Sequence, residues 1–164
     1  PVPQARLGVT SSACGMCGTT AVDELRTRIH PLPVGEPIPD EVLLAAPADL
    51  LGDTPIFAAT GAVHAAALFT PTGEAVVVRE DVGRHNAVDK VVGNQLLAGE
   101  LPRHGFGLAV SGRVGFEIVQ KAWAAGITTV VAKGAPTSLA VEAARMARIT
   151  LVGWASSAGG RAYD

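Results

Sequence analysis

The sequence predicts an α/β fold with a mixed sheet whose C-terminal strands run parallel, and three observations predict it. From Gly107 onward, short apolar runs alternate with helical patterns in the order β-α-β-α-β, joined by short connections. Strands that alternate with helices pair in parallel through right-handed crossovers. The strand runs are continuously apolar, as over 127–132, which suits a sheet covered on both faces. Aromatic residues make up 4% of a chain that is 48% hydrophobic. The core is therefore built from Ala, Val, Leu and Ile, with thin helices on a Val-rich sheet.

The elements follow in chain order. Residues 1–18 are rich in Gly, Ser and Thr and carry both cysteines; they read as a flexible segment, and 19–164 as the α/β domain. The chain opens on Pro1 without a Met, which reads as a processed or truncated start. Thr20, with Asp23 and Glu24 behind it, predicts a capped helix that ends near His30. Four prolines over 31–39 predict an extended connector. Residues 40–51 predict a helix that Pro47 bends or breaks. Thr54-Pro55 predicts a short helix that stops at Gly61, with Thr as cap and Pro in the first turn. The runs 63–70 and 74–79 flank Pro71-Thr72-Gly73, a hairpin signal. Ala87, Val88, Val91, Val92, Leu96 and Leu97 form a helical stripe over 86–98. Then come a strand at 107–110, a helix at 116–125, a strand at 127–132, a helix at 138–148 and a strand at 149–153.

The formal net charge is −2, which argues against non-specific nucleic-acid binding, since that needs a basic field. No apolar run reaches the length of a bilayer span, and no charged start followed by an apolar stretch marks a signal peptide. The expected compartment is the cytoplasm.

Ligands of such sheets bind beyond the carboxyl ends of the strands, and polar residues gather there. Arg84 and His85 follow the second hairpin strand, and Ser111, Gly112 and Arg113 follow the strand at 107–110. Lys133, Thr137 and Ser138 follow the next strand, and Trp154 and Ser156 the last. Helix starts offer free N–H groups to anions, and three cations add positive charge, so a phosphate-bearing ligand is expected. Taken singly, Ser111 and Thr137 read as helix caps, His85 and Asp89 as an i,i+4 pair, and His64 as a satisfied core histidine.

Cys14 and Cys17 are the only cysteines, in Ser12-Ala13-Cys14-Gly15-Met16-Cys17-Gly18. Three roles compete for this pair: half of a zinc site, a redox dithiol, or a persulfide carrier whose thiolate takes and passes on a sulfur. The residues alone leave them open.

Several blocks read together are more specific. Ser11 to Gly18 is followed by Thr60-Gly61-Ala62-Val63-His64 and then by Glu80-Asp81-Val82-Gly83-Arg84-His85-Asn86-Ala87-Val88-Asp89-Lys90. Ser111-Gly112-Arg113 and Ala135-Pro136-Thr137-Ser138 complete the order. The chain resembles the FdhD/NarQ family from about Thr10 to Trp154. The resemblance implies a three-layer α/β/α sandwich with a core like that of cytidine deaminases, and a homodimer. It implies that sulfur arrives as a persulfide from a cysteine desulfurase. The sulfur is then delivered to the molybdenum of Mo-bis(molybdopterin guanine dinucleotide) for formate dehydrogenase. On this chain it makes Cys14 the persulfide bearer, with Cys17 assisting or resolving, and no bound zinc is expected. It places part of the cofactor site at Trp154, Ala155, Ser156, Ser157, Ala158 and Gly159. The chain departs from the family pattern at Ala62, where a second Gly is usual, at Gly115, where Ser is, and after the last strand, where a common basic residue is replaced by Ser156 or displaced to Arg161. The family's usual N-terminal region is absent. Two other readings use the same residues. A cofactor-binding chaperone would shield the cofactor without moving sulfur. A zinc deaminase needs H-x-E before P-C-x-x-C, whereas Ala65 and Ala66 follow His64 and the cysteines lie upstream.

Overall fold

The apolar runs pair into one six-stranded sheet. A computed structural model describes residues 30–52 and 54–163; the cysteine segment and the helix expected after Thr20 lie outside the described residues. The elements are α1 (Asp40–Leu51), α2 (Pro55–Thr60), β1 (His64–Phe69), β2 (Ala75–Asp81), α3 (Arg84–Leu97), β3 (Gly107–Val110), α4 (Phe116–Ala124), β4 (Thr129–Ala132), α5 (Ser138–Ala147), β5 (Thr150–Ser156) and β6 (Gly159–Tyr163). The strand order is β2-β1-β3-β4-β5-β6. β3, β4 and β5 are parallel, as predicted. β1 runs antiparallel to both neighbours, β2 and β3. Its first residue, His64, therefore lies at the same edge as the last residues of β3 and β4.

Alternate residues of the central strands face opposite layers. Ala65, Ala67, Phe69, Ala109, Val131 and Val152 form one buried cluster with Leu43, Ala46 and Leu51 of α1. On the other side, α3 packs on β1 and β2, α4 on β4, and α5 on β5. The two crossovers β3-α4-β4 and β4-α5-β5 advance in one direction along the sheet, so their shared hand puts α4 and α5 on one face. Small residues set the spacing. α5 buries Ala140, Ala143, Ala144 and Ala147 at helical intervals, and the Phe69 ring lies over Gly107, where a Cβ would sit 2.1 Å from its Cζ.

The structure departs from the sequence expectations at three elements. α1 runs through Pro47 without a break. The proline costs one backbone hydrogen bond, but its ring is buried on the same face as Leu43, Ala46 and Leu51, and that packing carries the helix. α2 has Pro at its first turn, yet Thr54 makes no side-chain capping bond. The Glu80 carboxylate caps it instead, accepting from the N–H groups of Ile56 at 3.0 Å and Phe57 at 2.7 Å. The last strand does not end at Gly153: β5 continues to Ser156 and folds back into β6. This hairpin is poor in β-branched residues, so no strand signal marks it. It covers the edge of β5 by pairing Leu151 to Gly153 and Ser156 with β6, an edge that would otherwise stay open.

Candidate functional site

The loops that leave β3 and β4 and the bulged end of β5 are zipped together by backbone hydrogen bonds. The Val114 N–H donates to the Ala135 carbonyl at 3.1 Å, and the Thr137 N–H to the Val114 carbonyl at 3.0 Å. The Trp154 N–H donates to the Gly134 carbonyl at 3.3 Å. Gly134 is the keystone: a Cβ there would lie 2.8 Å from Arg113 N and 2.8 Å from Gly112 O, so no larger residue permits this approach. The outcome is a shelf of glycine-rich backbone at the carboxyl edge of the parallel strands. Trp154 stands at its outer end with φ 51, at a register shift between Gly153 and Ser156. A left-handed bulky residue costs on the order of 1–3 kcal/mol, and here the ring it displays is 51% exposed.

Arg84, Arg113 and Lys133 make no side-chain hydrogen bond or ion pair with any described residue. Lys90, Lys121 and Arg103, by contrast, are each paired with an acid: Asp81, Asp89 and Glu100. The Nε of Arg84 is buried without a partner, a costly state for a charged group. Its Cδ reaches the shelf, 3.3 Å from where a Gly112 Cβ would be. The N-caps of α3 and α4 are Gly83 and Gly115, neither with a side-chain cap, and helix starts are places where an anion can be held.

The acidic block before α3 is structural. Asp81 accepts from the Gly83 N–H at 2.9 Å and from Asn86 Nδ2 at 3.0 Å, and pairs with Lys90 at 2.6 Å. Lys90, with help from the Gly83 N–H and Asn86, lowers the Asp81 pKa from 3.8 to about 2. A carboxylate held this low contributes stability that is complete above its ordinary pKa and is lost as pH falls through about 2. Urea midpoints of the native chain and Asp81→Asn are therefore expected to differ fully at neutral pH and to converge as pH drops through that window. A gap independent of pH would exclude the clasp as their cause. Glu80 is pushed up by desolvation, but hydrogen bonding, with the Ile56 and Phe57 N–H groups donating to the carboxylate, outweighs this and leaves its pKa below the ordinary value. His85 does not pair with Asp89, which binds Lys121; its Nε2 lies 3.9 Å from Glu117. Burial first, and then Arg84, lower the His85 pKa.

The structure thus brings together Arg84, Ser111, Gly112, Arg113, Lys133 and Trp154, with His85 behind Arg84. The other expected residues have local places in the fold. Thr137 caps α5 by accepting from the Ala140 N–H, and Ser138 opens that helix on its exposed side. Ala155 is buried in the cluster under α1. Ser156 closes the β5–β6 turn by donating to the Gly159 carbonyl at 3.1 Å, and Ser157 and Ala158 are its exposed tip. Ser111 is not a cap: its hydroxyl accepts from the Ala65 N–H at 3.0 Å and lies 3.3 Å from His64 Nδ1. His64, expected to be an ordinary core histidine, is half-buried and lines a cleft next to Lys133. Among the described residues no group of three or more His, Cys, Asp or Glu side chains is placed to hold a metal, and no helix is long and apolar enough to cross a membrane.

Shelf, helix starts and cations without acid partners among the described residues lie together at the carboxyl edge of the sheet of an α/β protein. The chain belongs to the FdhD/NarQ family, whose model matches residues 3–164. It is 51% identical over 150 residues to the sulfur carrier protein FdhD of Anaeromyxobacter dehalogenans strain 2CP-1, covering 88% of this chain and 52% of that protein. It is 51% identical over 158 residues to the FdhD of Nocardia farcinica, covering 94% and 56%. A crystal structure described as a formate dehydrogenase accessory protein from Desulfotalea psychrophila superposes with a TM-score of 0.72 at 30% identity, covering 82% of this chain and 59% of that one. The chain spans about half the length of these curated relatives.

Proposed function

We propose that this chain is the sulfur-carrying part of a sulfur carrier that serves formate dehydrogenase. The Cys14 thiolate attacks the outer sulfur of a cysteine desulfurase persulfide, forming a new S–S bond as the donor thiolate leaves. Cys17 assists or resolves. The S–S bond then breaks, the Cys14 thiolate leaves, and the sulfur passes to the molybdenum of Mo-bis(molybdopterin guanine dinucleotide), the cargo, whose reduced metal would supply the two electrons that make it sulfide, before that cofactor enters the dehydrogenase. The observation that carries the ligand half is the glycine shelf with the Arg84 side chain against Gly112 and with Arg113 and Lys133 in its loops, all three without acids among the described residues. Phosphates suit these cations and the uncapped starts of α3 and α4, and the exposed Trp154 ring suits a guanine face. The sulfur half is supported by the Cys14–Cys17 pair and by the names of the relatives. A homodimer in the cytoplasm, with a core akin to that of cytidine deaminases, belongs to the same reading.

Guanosine diphosphate is the simplest probe. It is expected to bind with its phosphates within hydrogen-bond reach of Arg113 and Lys133, as a co-crystal structure would show. Density at another surface, or no heat of binding in calorimetry, would overturn the ligand half.

A further inference from the structure

The sheet ends differently on its two sides. At one end the outward carbonyls of Val78 and Glu80 on β2 accept from Arg79 Nη1 at 2.8 Å and from Lys90 Nζ at 2.9 Å, so side chains of the protein itself occupy that edge. At the other end β6 pairs with β5 alone. The Thr150 N–H donates to the Thr128 carbonyl on the β4 side. Strand parity then turns the backbone groups of Leu151 and Gly153 toward β6, where they face Tyr163 and Arg161. The N–H and C=O groups of Gly160 and Ala162 are left pointing outward, and both residues are exposed. No side chain among the described residues bonds to them.

A groove of about 400 Å³ runs along this edge, between β6 and the end of α5, with Arg145, Arg148, Ile149 and Tyr163 in its lining. The Arg161 guanidinium joins it over the Tyr163 ring, 5.3 Å from the centroid. Arg161 and Tyr163 share that face of β6, because alternate residues of a strand do; Gly160 faces the other way, toward Leu44 of α1. Residues 138–163 hold three arginines and one acid, Glu142, in a chain of formal net charge −2, so positive charge is concentrated here. Neither Arg148 nor Arg161 forms an ion pair with a described acid. Arg148 also closes α5 at φ 58, a left-handed position that favours glycine.

We propose that β6 and this groove dock an extended acidic segment of a partner protein. The segment adds to the sheet as a further strand and exchanges main-chain hydrogen bonds with Gly160 and Ala162, while its acidic side chains on the α5 face meet Arg148 and Arg161. Main-chain bonds supply affinity in this mode of recognition and the side-chain pockets supply selectivity. A second copy of this chain fits the edge less well, since β6 laid against β6 brings like charges of Arg161 together. A membrane surface fits less well too, since none of the exposed large apolar side chains lines the groove. Nothing in this docking requires the ligand of the shelf.

The test uses three fluorescent synthetic peptides, read by anisotropy: one alternating Glu and Val, one alternating Lys and Val, and the Glu–Val peptide N-methylated on alternate amides so that it cannot complete a strand ladder. They are titrated into the native chain, Arg148→Gly, Arg161→Ala and the double variant. Thermal melts check the fold, and Arg148→Gly places glycine where the backbone favours it. The Glu–Val peptide is expected to bind the native chain and to weaken about fivefold for each arginine removed, the upper end for an exposed ion pair. The Lys–Val and N-methylated peptides are expected not to bind. No binding of the Glu–Val peptide, equal binding of it by the native chain and the double variant, or undiminished binding of either control peptide would overturn the proposal. A chain that is dimeric in sedimentation and excludes the Glu–Val peptide would likewise overturn it and give the edge to a second copy.

Discussion

Cys14→Ala is expected to reduce activation of formate dehydrogenase to background while leaving thermal stability and guanosine diphosphate binding intact. The thiolate is the group that attacks the donor and holds the outer sulfur, and no other side chain can take its place. Cys17→Ala is expected to do less damage. A neighbouring thiol can discharge a persulfide as a disulfide, but it does not carry the cargo. The measurement is dehydrogenase activity in a strain that has this protein as its only sulfur carrier. Full activation by Cys14→Ala would refute the persulfide role.

Arg113→Ala with Lys133→Ala is expected to give the second-largest effect, on ligand affinity. A hydrogen bond to a charged group is worth about 1.5 kcal/mol or more, close to tenfold in Kd each, so the double variant should bind guanosine diphosphate roughly a hundredfold more weakly. Raising the salt concentration should weaken binding by the native chain more than by the variant, since exposed charges are screened. The thermal midpoint should not change, because neither side chain has a partner among the described residues that the substitution would strip. Calorimetry with a parallel melt separates the outcomes. A fall in stability with unchanged affinity would mean that these cations support the fold and not a ligand.

The parallel half of the fold was legible because its periodicity is strong. The β3-α4-β4-α5-β5 run reads directly from the chain and brings Ser111, Arg113 and Lys133 to one edge. His64 was not legible as part of that edge. An apolar run gives a strand but not its neighbours or its direction, and the antiparallel placement of β1 between β2 and β3 carries its first residue there. The block from Glu80 to Lys90 stands out in the sequence, yet most of its charge is spent inside the fold. Glu80 caps α2, Asp81 and Lys90 form a clasp, and Asp89 binds Lys121. Arg84 is the cation of that block without an acid partner among the described residues, a distinction that needs the three-dimensional partners. The segment from Trp154 to Gly159 was expected to be a loop because Ser, Ala and Gly carry little strand preference. Pairing with β6 makes it a hairpin, and within it the left-handed backbone at Trp154 keeps an aromatic ring in solvent.

Sulfur on Cys14 is the most direct observable. The purified chain is incubated with a cysteine desulfurase and cysteine, digested without reductant, and its peptides are weighed by mass spectrometry. The peptide bearing Cys14 is predicted to gain one sulfur, and the same peptide from Cys14→Ala to gain none. Cys14 left unmodified while the desulfurase itself carries persulfide, or sulfur found on Cys17 alone, would contradict the assignment.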